Sequence, residues 1–438
     1  MYKKLIIVTH DYPPILSARA IRWSALAEYW ATQGHDVDVV SAWQNGFAEE
    51  ETLRGVRVHR TNLRWLENLR AWFKKARTSR KRQNAGQSSE AERLQAKGFL
   101  SQIAHWGYHK IYKQLYWPDG AFPWFRPALR KTRALISSNR YDALITVSPY
   151  FTAHLVGLRV HQKFPTLHWM VDIGDPFSFE EYEPHNNPRL YKTKNFSAEQ
   201  RVFNKATVIS VTTDETRQKY AQLFPSHAEK IHVIPPLLSS DEGFKAYLPL
   251  FPKDKKLRLV YMGRLYSESR RPDFLLQLFR SLLETPLGDH IELHFFGDIR
   301  AVEDSFHAYT SLIHEKIHVH GQVEHEIANR ALHDASVLIN IGNKSAYQLP
   351  SKVVEYVNTG KPILNIIQTV HDSSMKFFEP YPSVLHLHDS GPVESQKAVE
   401  DLFQFLSNLP APLSKEEIRE IRSQFQIDSI ARKYEDLF

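Results

Sequence analysis

The feature that most constrains the fold is an alternation of short apolar segments with helical patterns, which occurs in two successive runs. The strand-like segments of the first run lie at residues 5–8, 37–40, 55–59, 143–147, 168–172 and 207–211. Helical stretches such as 152–162 and 197–205 separate them. This pattern predicts a mainly parallel sheet with helices on both faces, which is a Rossmann-like, doubly wound α/β domain.

The second run begins after a proline-rich segment. Its strand-like segments are 257–262, 291–296, 317–320, 337–341 and 363–366, and helical patterns at 273–283, 326–333 and 353–357 alternate with them. We predict a first domain over 1–240, a linker over 241–256 and a second doubly wound domain over 257–414. The 438 residues suffice for two such domains, since one domain usually has about 100 to 200 residues.

Amphipathic patterns predict a helix near each end of the chain. The first follows the opening strand and is expected to bury Ile21, Leu26, Ala27 and Trp30 on one side. The last is predicted as a single helix over 415–438, which must bury its apolar face against one of the domains.

The composition excludes several kinds of chemistry. The chain has no cysteine, which rules out disulfides, thiolate zinc sites and cysteine nucleophiles. The opening apolar run, Leu5 to Val8, is far shorter than the core of a signal peptide. No stretch approaches the roughly 18 apolar residues that span a bilayer, so we expect a cytoplasmic protein whose membrane contacts are peripheral.

Residues 62–125 interrupt the alternation and are predicted to form an insertion in the first domain. Within 64–82, eight basic residues stand against one acid, Glu67, and Trp65 and Trp72 lie among them. This mixture is typical of an interfacial helix on an anionic membrane, and a helix packed on its own domain explains it equally well. Nucleic acid is the least favoured partner, because no recognition motif accompanies the charges.

The segment from Gln348 to Leu364 is the most informative for function. Pro350 can begin a helix whose unpaired N–H groups and positive dipole end bind phosphate, with Ser351 in the first turn. Lys352 adds a positive charge, and Glu355, about one turn further along, can accept hydrogen bonds from a ribose diol. An ordinary capped helix of an α/β protein explains the same residues.

Two arginines follow the first strand of the second run. Gly263 and Arg264 lie at the carboxyl end of that strand, where ligands bind in open α/β sheets, and Arg270 is six residues further on. Two such cations can neutralise a departing diphosphate without a metal ion, so neither a metal nor another cofactor is expected. A pair of solvated surface arginines is the alternative interpretation.

Two further strand ends carry glycines. Gly297 follows the strand at 291–296, and a glycine there lets a ligand approach the backbone closely. Gly321 to Val323 follow the next strand, and their main chain can line a pocket for a base. A plain tight turn fits these three residues equally well.

Two candidate metal motifs are better explained by strands. Asp36 and Asp38 flank Val37 at the start of a predicted strand, and strand placement is favoured over an Asp-X-Asp metal site. His386 and His388 have no ligand partner at zinc spacing. No metal site is expected from these residues.

The order of these segments resembles glycosyltransferase family four, which has the GT-B fold of two Rossmann-like domains with a cleft between them. The donor half matches at Gly263-Arg264 with Arg270, Phe296-Gly297, Gly321-Gln322-Val323, Ser351-Lys352 with Glu355-Tyr356, and Thr359-Gly360-Lys361-Pro362. The opening half is similar at Thr9 to Pro14, Arg19, Leu26-Ala27 and Gly34 to Val37. Tyr141 to Pro149 and Trp169 to Pro176 resemble a bacterial branch that makes surface polysaccharides.

The resemblance implies transfer of a sugar from a nucleoside diphosphate donor to a hydroxyl of a glycan or lipid-linked acceptor at the inner membrane surface, with retention of configuration. Arg264 and Arg270, or the adjacent Arg271, would bind the donor diphosphate. The other implied donor-binding residues are Gly263, Gly297, Val323, Ser351, Lys352 and Glu355, of which Glu355 would hold the ribose. The implied acceptor-side residues are Ser17, Arg19 and Asp175, and the implied catalytic residues are Asp175, Arg264 and Arg270. The final helix would cross back onto the first domain.

The chain departs from the family's pattern at two positions. The family usually has a second acid eight residues before the ribose glutamate, and Tyr347 occupies that position here. In many members a histidine precedes the aspartate matched to Asp175, where this chain has Gly174, and Asp175 itself is equally typical of a loop cap. Two other functions stay open: a nucleotide-sugar epimerase of the same fold and, because of Tyr347, a nucleotide-sugar-binding protein without catalysis.

The basic residues of the insertion predict salt-sensitive membrane binding. The protein should co-sediment with anionic but not neutral vesicles, since each basic residue contributes about 1 kcal/mol near an anionic surface and is screened within a Debye length. A variant with six of these residues changed to Gln should be released while still binding nucleotide; the six are Lys74, Lys75, Arg77, Arg80, Lys81 and Arg82. Equal sedimentation of both proteins on anionic vesicles would leave only the solvated-face interpretation.

Overall fold

The computed structural model describes residues 2–15, 17–63, 115–238, 247–389 and 392–438, with the side chains of 392–395 excepted. Most of the predicted insertion, including Trp65, Trp72 and the basic residues around them, therefore lies outside the described residues. The same holds for 239–246 at the start of the predicted linker.

The first half of the chain forms an eight-stranded sheet with the order β3-β4-β2-β1-β5-β6-β7-β8. The strands are β1 Lys4–Thr9, β2 Asp36–Ala42, β3 Glu50–Leu53, β4 Val56–Thr61, β5 Ala143–Val147, β6 His168–Ile173, β7 Val208–Val211 and β8 Ile231–Val233. All neighbours pair in parallel except β3 and β4, which are antiparallel. The edge strands β3 and β8 were not predicted, because both are short and partly exposed.

The helices of the first half are α1 Ala18–Thr32, α2 Phe125–Ser138, α3 Thr152–His161, α4 Pro188–Lys205 and α5 Asp214–Leu223. The prediction for Ile21 was wrong. Its side chain is 39% exposed, because the buried face of α1 is centred on Trp23 and Ala27. The predicted end of the insertion is also corrected: Trp124 is buried in the core of the first half and leads directly into α2.

The second half forms a six-stranded, fully parallel sheet with the order β11-β10-β9-β12-β13-β14. Its strands are β9 Leu257–Met262, β10 Ile291–Phe296, β11 Ile317–Gly321, β12 Val337–Ile341, β13 Ile363–Ile367 and β14 Val384–His388. Its helices are α6 Asp273–Leu283, α7 Glu303–Phe306, α8 His325–Asp334, α9 Val353–Thr359, α10 Ser373–Phe378 and α11 Pro392–Ser407. The predicted α/β class, with two doubly wound halves, is confirmed.

The chain ends in two helices, α12 Lys415–Ser423 and α13 Ile427–Glu435, and not in the single helix predicted over 415–438. The break occurs because Phe425 is buried, its carbonyl accepts a hydrogen bond from Leu238 N at 2.9 Å, and Gln426 is extended. Helix α12 packs against α9 in the second half, whereas α13 packs against α1 in the first. Within the described ranges, no helix combines the length and apolar character needed to cross a membrane.

A buried carboxylate on β6 joins several of these elements. Asp172 Oδ2 accepts hydrogen bonds from Arg19 Nη1 at 3.1 Å and Trp23 Nε1 at 3.0 Å. Its Oδ1 accepts from Ser210 Oγ at 2.8 Å and from Tyr434 OH at 2.7 Å. Burial opposes ionisation, but the positive charge of Arg19 and these hydrogen bonds hold the pKa of Asp172 below its usual value.

Arg22 connects this carboxylate network to the segment that leaves the first sheet. Its guanidinium donates to the carbonyls of Pro235 at 2.7 Å and Ile234 at 3.3 Å, and to Tyr434 OH at 3.0 Å. The outgoing segment and the returning helix α13 are therefore fixed to α1 by one buried side chain.

Replacing Tyr434 by Phe should lower the free energy of unfolding of the first half by about 2 kcal/mol, because a buried hydrogen bond to a charged group is lost. Thermal unfolding followed by circular dichroism measures the change. Tyr2→Phe is the matched control, since Tyr2 is 78% exposed. Equal unfolding temperatures for the two variants would show that the Tyr434 hydroxyl contributes nothing to stability.

Candidate active site

Three glycines close the carboxyl ends of β9, β10 and β11. Gly263, Gly297 and Gly321 all have positive φ, at 148°, 130° and 67°. A Cβ on Gly297 would lie 2.0 Å from the carbonyl oxygen of Gly263. The neighbouring backbone therefore approaches Gly297 closely, which requires a glycine there, and the implied donor contact of Gly297 stays a prediction.

Both predicted diphosphate-binding arginines lie on one loop after β9. Tyr266 and Arg270 exchange main-chain hydrogen bonds of 3.0 and 3.4 Å, which close the loop. The guanidinium carbons of Arg264 and Arg270 lie 5.4 and 5.8 Å from the centre of the Tyr266 ring. Both guanidinium groups therefore lie within cation–π distance of the same ring. The Arg264 side chain is 60% exposed.

The structure distinguishes Arg270 from Arg271, which the sequence left as alternatives. Arg271 Nε donates to Asp273 at 2.7 Å, and its Nη2 donates to Asp304 at 2.7 Å and to Ser305 at 2.8 Å. These hydrogen bonds hold the pKa of Arg271 above its usual value. Arg271 is thereby paired with acids of α6 and α7, and of the two arginines we expect Arg270 to contact the donor.

Arg270 is oriented by the loop between β12 and α9. Asn343 Oδ1 accepts hydrogen bonds from Arg270 Nε at 3.1 Å and Nη2 at 2.7 Å. The amide nitrogen of Asn343 donates to the carbonyl of Gln348 at 2.9 Å. Sequence reasoning missed Asn343, although it follows β12 at its carboxyl end, the same kind of position that drew attention to Gly263.

Helix α9 begins at Val353, three residues later than Pro350, where the sequence predicted its start. Ser351 is exposed and Lys352 precedes the helix, because Val353 N bonds to the Pro350 carbonyl in a turn before the helix. Lys352 Nζ lies 3.3 Å from Glu355 Oε1, so the two implied donor-binding residues form an ion pair.

A buried tyrosine fixes α9 to the end of β9. Tyr356 OH accepts a hydrogen bond from Met262 N at 3.0 Å and donates to Met262 O at 3.2 Å. Glu355 precedes Tyr356 and Gly263 follows Met262, so these two hydrogen bonds position the ion-paired glutamate relative to the arginine loop. Val323 is partly buried against the apolar cluster that contains Met262 and Tyr356.

The same β12–α9 loop contacts the first half of the chain. The carbonyl of Tyr347 accepts a hydrogen bond from Thr216 Oγ1 at 2.8 Å, and its ring lies 5.0 Å from the ring of Phe179. Gln348 Nε2 donates to Asp175 Oδ1 at 3.1 Å. Tyr347, where the family usually has an acid, therefore makes an aromatic and main-chain contact between the two halves.

Arg19 lies against Gly174. Its Nη1 pairs with Asp172 at 3.1 Å and its Nη2 donates to Thr212 Oγ1 at 3.1 Å. A Cβ on Gly174 would lie 2.2 Å from Arg19 Nε, so a larger residue there would have to displace the guanidinium from these partners. Ser17, which is also implied on the acceptor side, caps α1 by accepting a hydrogen bond from Ala20 N at 3.2 Å.

Asp38 has a structural role within the first sheet. It is buried, accepts hydrogen bonds from Arg57 and Tyr141, and lies 2.8 Å from His59 Nε2. Burial opposes ionisation, but these hydrogen bonds hold the pKa of Asp38 well below its usual range. His386 and His388 lie on β14, as the strand interpretation predicts.

Comparison with known proteins supports the architecture described above. A family model described as a glycosyl transferase 4-like domain matches residues 18–236, and one described as glycosyl transferases group 1 matches residues 256–368. A search of curated protein sequences returned no match.

Several solved structures share the fold over nearly their whole length. A sucrose-phosphate synthase from Thermosynechococcus elongatus superposes with a TM-score of 0.65 at 14% identity, covering 99% of this chain and 98% of that one. HepE of Anabaena in complex with UDP-glucose gives 0.57 at 12% identity, covering 99% of each chain. A trehalose-6-phosphate protein of E. coli bound with UDP-2-fluoro glucose gives 0.63 at 11% identity, covering 99% of this chain and 98% of that one.

The two halves, their mainly parallel sheets and these neighbours define the GT-B fold. Because the first family model alone spans half of its residues, the chain belongs to the glycosyl transferase 4-like family, with a group 1 glycosyltransferase domain in its second half. The resemblance inferred from the sequence motifs is thus confirmed for fold and family.

The different partners of Arg270 and Arg271 lead to opposite expectations for two similar variants. Arg270→Gln should weaken binding of a nucleoside diphosphate by about 2 kcal/mol, roughly thirtyfold in Kd, because a charged hydrogen bond to phosphate is lost. Arg271→Gln should leave the Kd unchanged. Isothermal titration calorimetry measures both, and a larger loss for Arg271→Gln than for Arg270→Gln would contradict the assignment.

Proposed function

We propose that this glycosyltransferase moves a sugar from a nucleoside diphosphate donor to a hydroxyl of its acceptor, with the diphosphate bound by Arg264, Arg270 and Lys352. The proposal rests on the carboxyl end of β9, which is next to all three cations. Strand β9 leads directly into the loop with Arg264 and Arg270, and Met262 at its end is hydrogen-bonded to Tyr356 of α9, the helix that follows Lys352. The nucleotide sugars in the HepE and E. coli structures support a donor of this class.

The proposed chemistry of the donor side is electrostatic. As the bond between the sugar and the diphosphate breaks, negative charge grows on the departing phosphate oxygens. Arg264 and Arg270 are placed to stabilise this charge, and Arg270 is held in orientation by Asn343. Preorganised cations need not reorganise during the reaction and can serve in place of a metal ion.

Glu355 is the proposed ribose acceptor. Its side chain is largely buried and pairs with Lys352, which holds one carboxylate oxygen in a defined place. A ribose diol offers two hydroxyl donors to such a carboxylate, while Lys352 can turn from the glutamate towards the diphosphate.

Asp175 and Arg19 are the proposed acceptor-side groups. Asp175 follows β6 and accepts a hydrogen bond from Gln348 of the second half, so it lies at the cleft. Arg19 is anchored by Asp172 on the same strand. The family resemblance supports retention of configuration and a lipid-linked oligosaccharide acceptor at the inner face of the cell membrane.

Closure of the cleft is proposed to depend on a hydrogen-bonded path between the two sides. The path runs from Arg270 through Asn343 and Gln348 to Asp175, with distances of 2.7, 2.9 and 3.1 Å. A diphosphate that binds Arg270 would therefore affect the hydrogen bonds of the β12–α9 loop, which contacts Asp175 through Gln348. Closure along this path would exclude water from the bound donor.

Nucleoside diphosphate should raise the unfolding temperature of the protein equally with EDTA and with magnesium, because protein cations neutralise the phosphates. Thermal shift assays with UDP, GDP and ADP measure this and rank the bases. Binding that appears only with a divalent metal would contradict the proposal.

Release of nucleoside diphosphate from the donor should require an acceptor, which a coupled assay measures. A new sugar nucleotide formed without acceptor would identify an epimerase instead.

A further inference from the structure

Three histidines and a glutamate gather on one face of β10 and β11, apart from the arginine loop. His294 and His318 are direct partners in the parallel register, so their side chains project from the same face. Glu292 lies two residues before His294 on that face. His320 lies two residues after His318, at a β-bulge where the register steps from Val319 to Gly321.

The nitrogen and oxygen atoms of this cluster converge. One ligand atom from each of Glu292, His294 and His318 lies within 4.8 Å of the others, the single group of this kind among the described residues. His294 Nε2 is 3.4 Å from Glu292 Oε2. His318 Nε2 is buried and has no hydrogen-bond partner. An unpaired buried ring nitrogen is costly, and a bound cation would satisfy it.

His294 is the most deeply buried histidine of the cluster, with only 4% of its surface exposed. The two atoms nearest to its ring nitrogens are therefore the protein's own, Glu292 Oε2 and His320 Nε2.

His320 acts on His294 from the other side. His294 Nδ1 lies 3.0 Å from His320 Nε2. When Nδ1 carries the proton and donates it to His320, the lone pair of His294 Nε2 faces Glu292. This is the outer-shell arrangement that orients histidine ligands in metal sites.

We propose that Glu292, His294 and His318 bind a zinc ion, with His320 orienting His294. Two imidazoles and one carboxylate are a ligand set typical of zinc, and water completes the tetrahedron. This site is separate from the donor site and supplies no step of sugar transfer.

Two local movements accompany binding. The rings of His294 and His318 stack 4.6 Å apart with planes 15° apart, so His318, on the edge strand, turns about its Cβ–Cγ bond to aim Nε2 at the ion. Lys256 Nζ, which contacts Glu292 Oε1 at 2.5 Å, moves into solvent, where 39% of its side chain already lies. Arg258 Nε donates to Glu292 Oε2 at 3.2 Å, and Arg258 also pairs with Asp254 at 2.6 Å, so it remains a second positive charge beside the carboxylate that binds the ion.

Zinc at this position would stabilise the start of the second half. The ring of Phe251, from the incoming segment, lies 4.7 Å from the ring of His294. Phe251 N and Leu250 N both donate to Asp334 of α8 at 2.7 Å. The ion would therefore join β10 and β11 beneath the segment that enters from the first half.

The test uses the full chain purified without a polyhistidine tag and freed of metal with a chelator. Titration with cobalt(II) should give the visible absorption of a tetrahedral complex at one ion per chain, and zinc should displace it and raise the unfolding temperature. His318→Asn should abolish the absorption. His320→Ala should weaken binding roughly tenfold to a hundredfold, as for other outer-shell partners.

His307→Ala is the matched control, because His307 is an exposed histidine of the same half, and it should bind as the wild type does. Circular dichroism shows whether each variant is folded, and Glu292→Gln replaces His318→Asn if the latter unfolds. Absence of a tetrahedral cobalt spectrum in the wild type, or an unchanged spectrum in folded ligand variants, would overturn the proposal.

Discussion

The buried carboxylate of Asp172 is the interaction on which the arrangement of the two halves depends. It is ionised in the core of the first sheet because four donors from α1, β7 and α13 surround it. One of these donors is Tyr434, which also binds Arg22 and through it the outgoing chain. Asp172 therefore holds in place both connections between the halves, the segment after β8 and the returning helix α13. Removing any one donor would leave its buried negative charge with fewer hydrogen bonds, which is costly.

The same carboxylate connects this framework to the cleft. Asp172 holds Arg19, and Arg19 in turn occupies the space that a side chain at residue 174 would need. The next residue, Asp175, receives its hydrogen bond from Gln348 of the other half. The proposed acceptor side is therefore positioned by the hydrogen bonds around Asp172. The proposed donor side is positioned by the strand ends at Gly263, Gly297 and Gly321 and by the hydrogen bonds of Tyr356 to Met262.

Much of the fold was predictable because parallel strands buried on both faces give continuous apolar runs, as in Ile291–Phe296. Strand β3 was missed because it is a partly exposed, antiparallel edge with the sequence Glu-Glu-Thr-Leu. The motifs of the candidate site could be identified from the sequence, but the hydrogen-bond partners of their side chains could not. Asp273, a partner of Arg271, is two residues away, but Asn343, the partner of Arg270, is 73 positions away, and the contact of Gln348 with Asp175 joins residues 173 positions apart.

In the proposed donor complex, Arg264, Arg270 and Lys352 surround the diphosphate while Glu355 holds the ribose. A crystal structure of the full chain with a bound nucleoside diphosphate tests this arrangement most directly. We expect phosphate oxygens within hydrogen-bond distance of Arg270 and Lys352, and the ribose hydroxyls within hydrogen-bond distance of Glu355. A diphosphate bound away from these residues, with Arg270 and Glu355 making no contact to the nucleotide, would contradict this assignment.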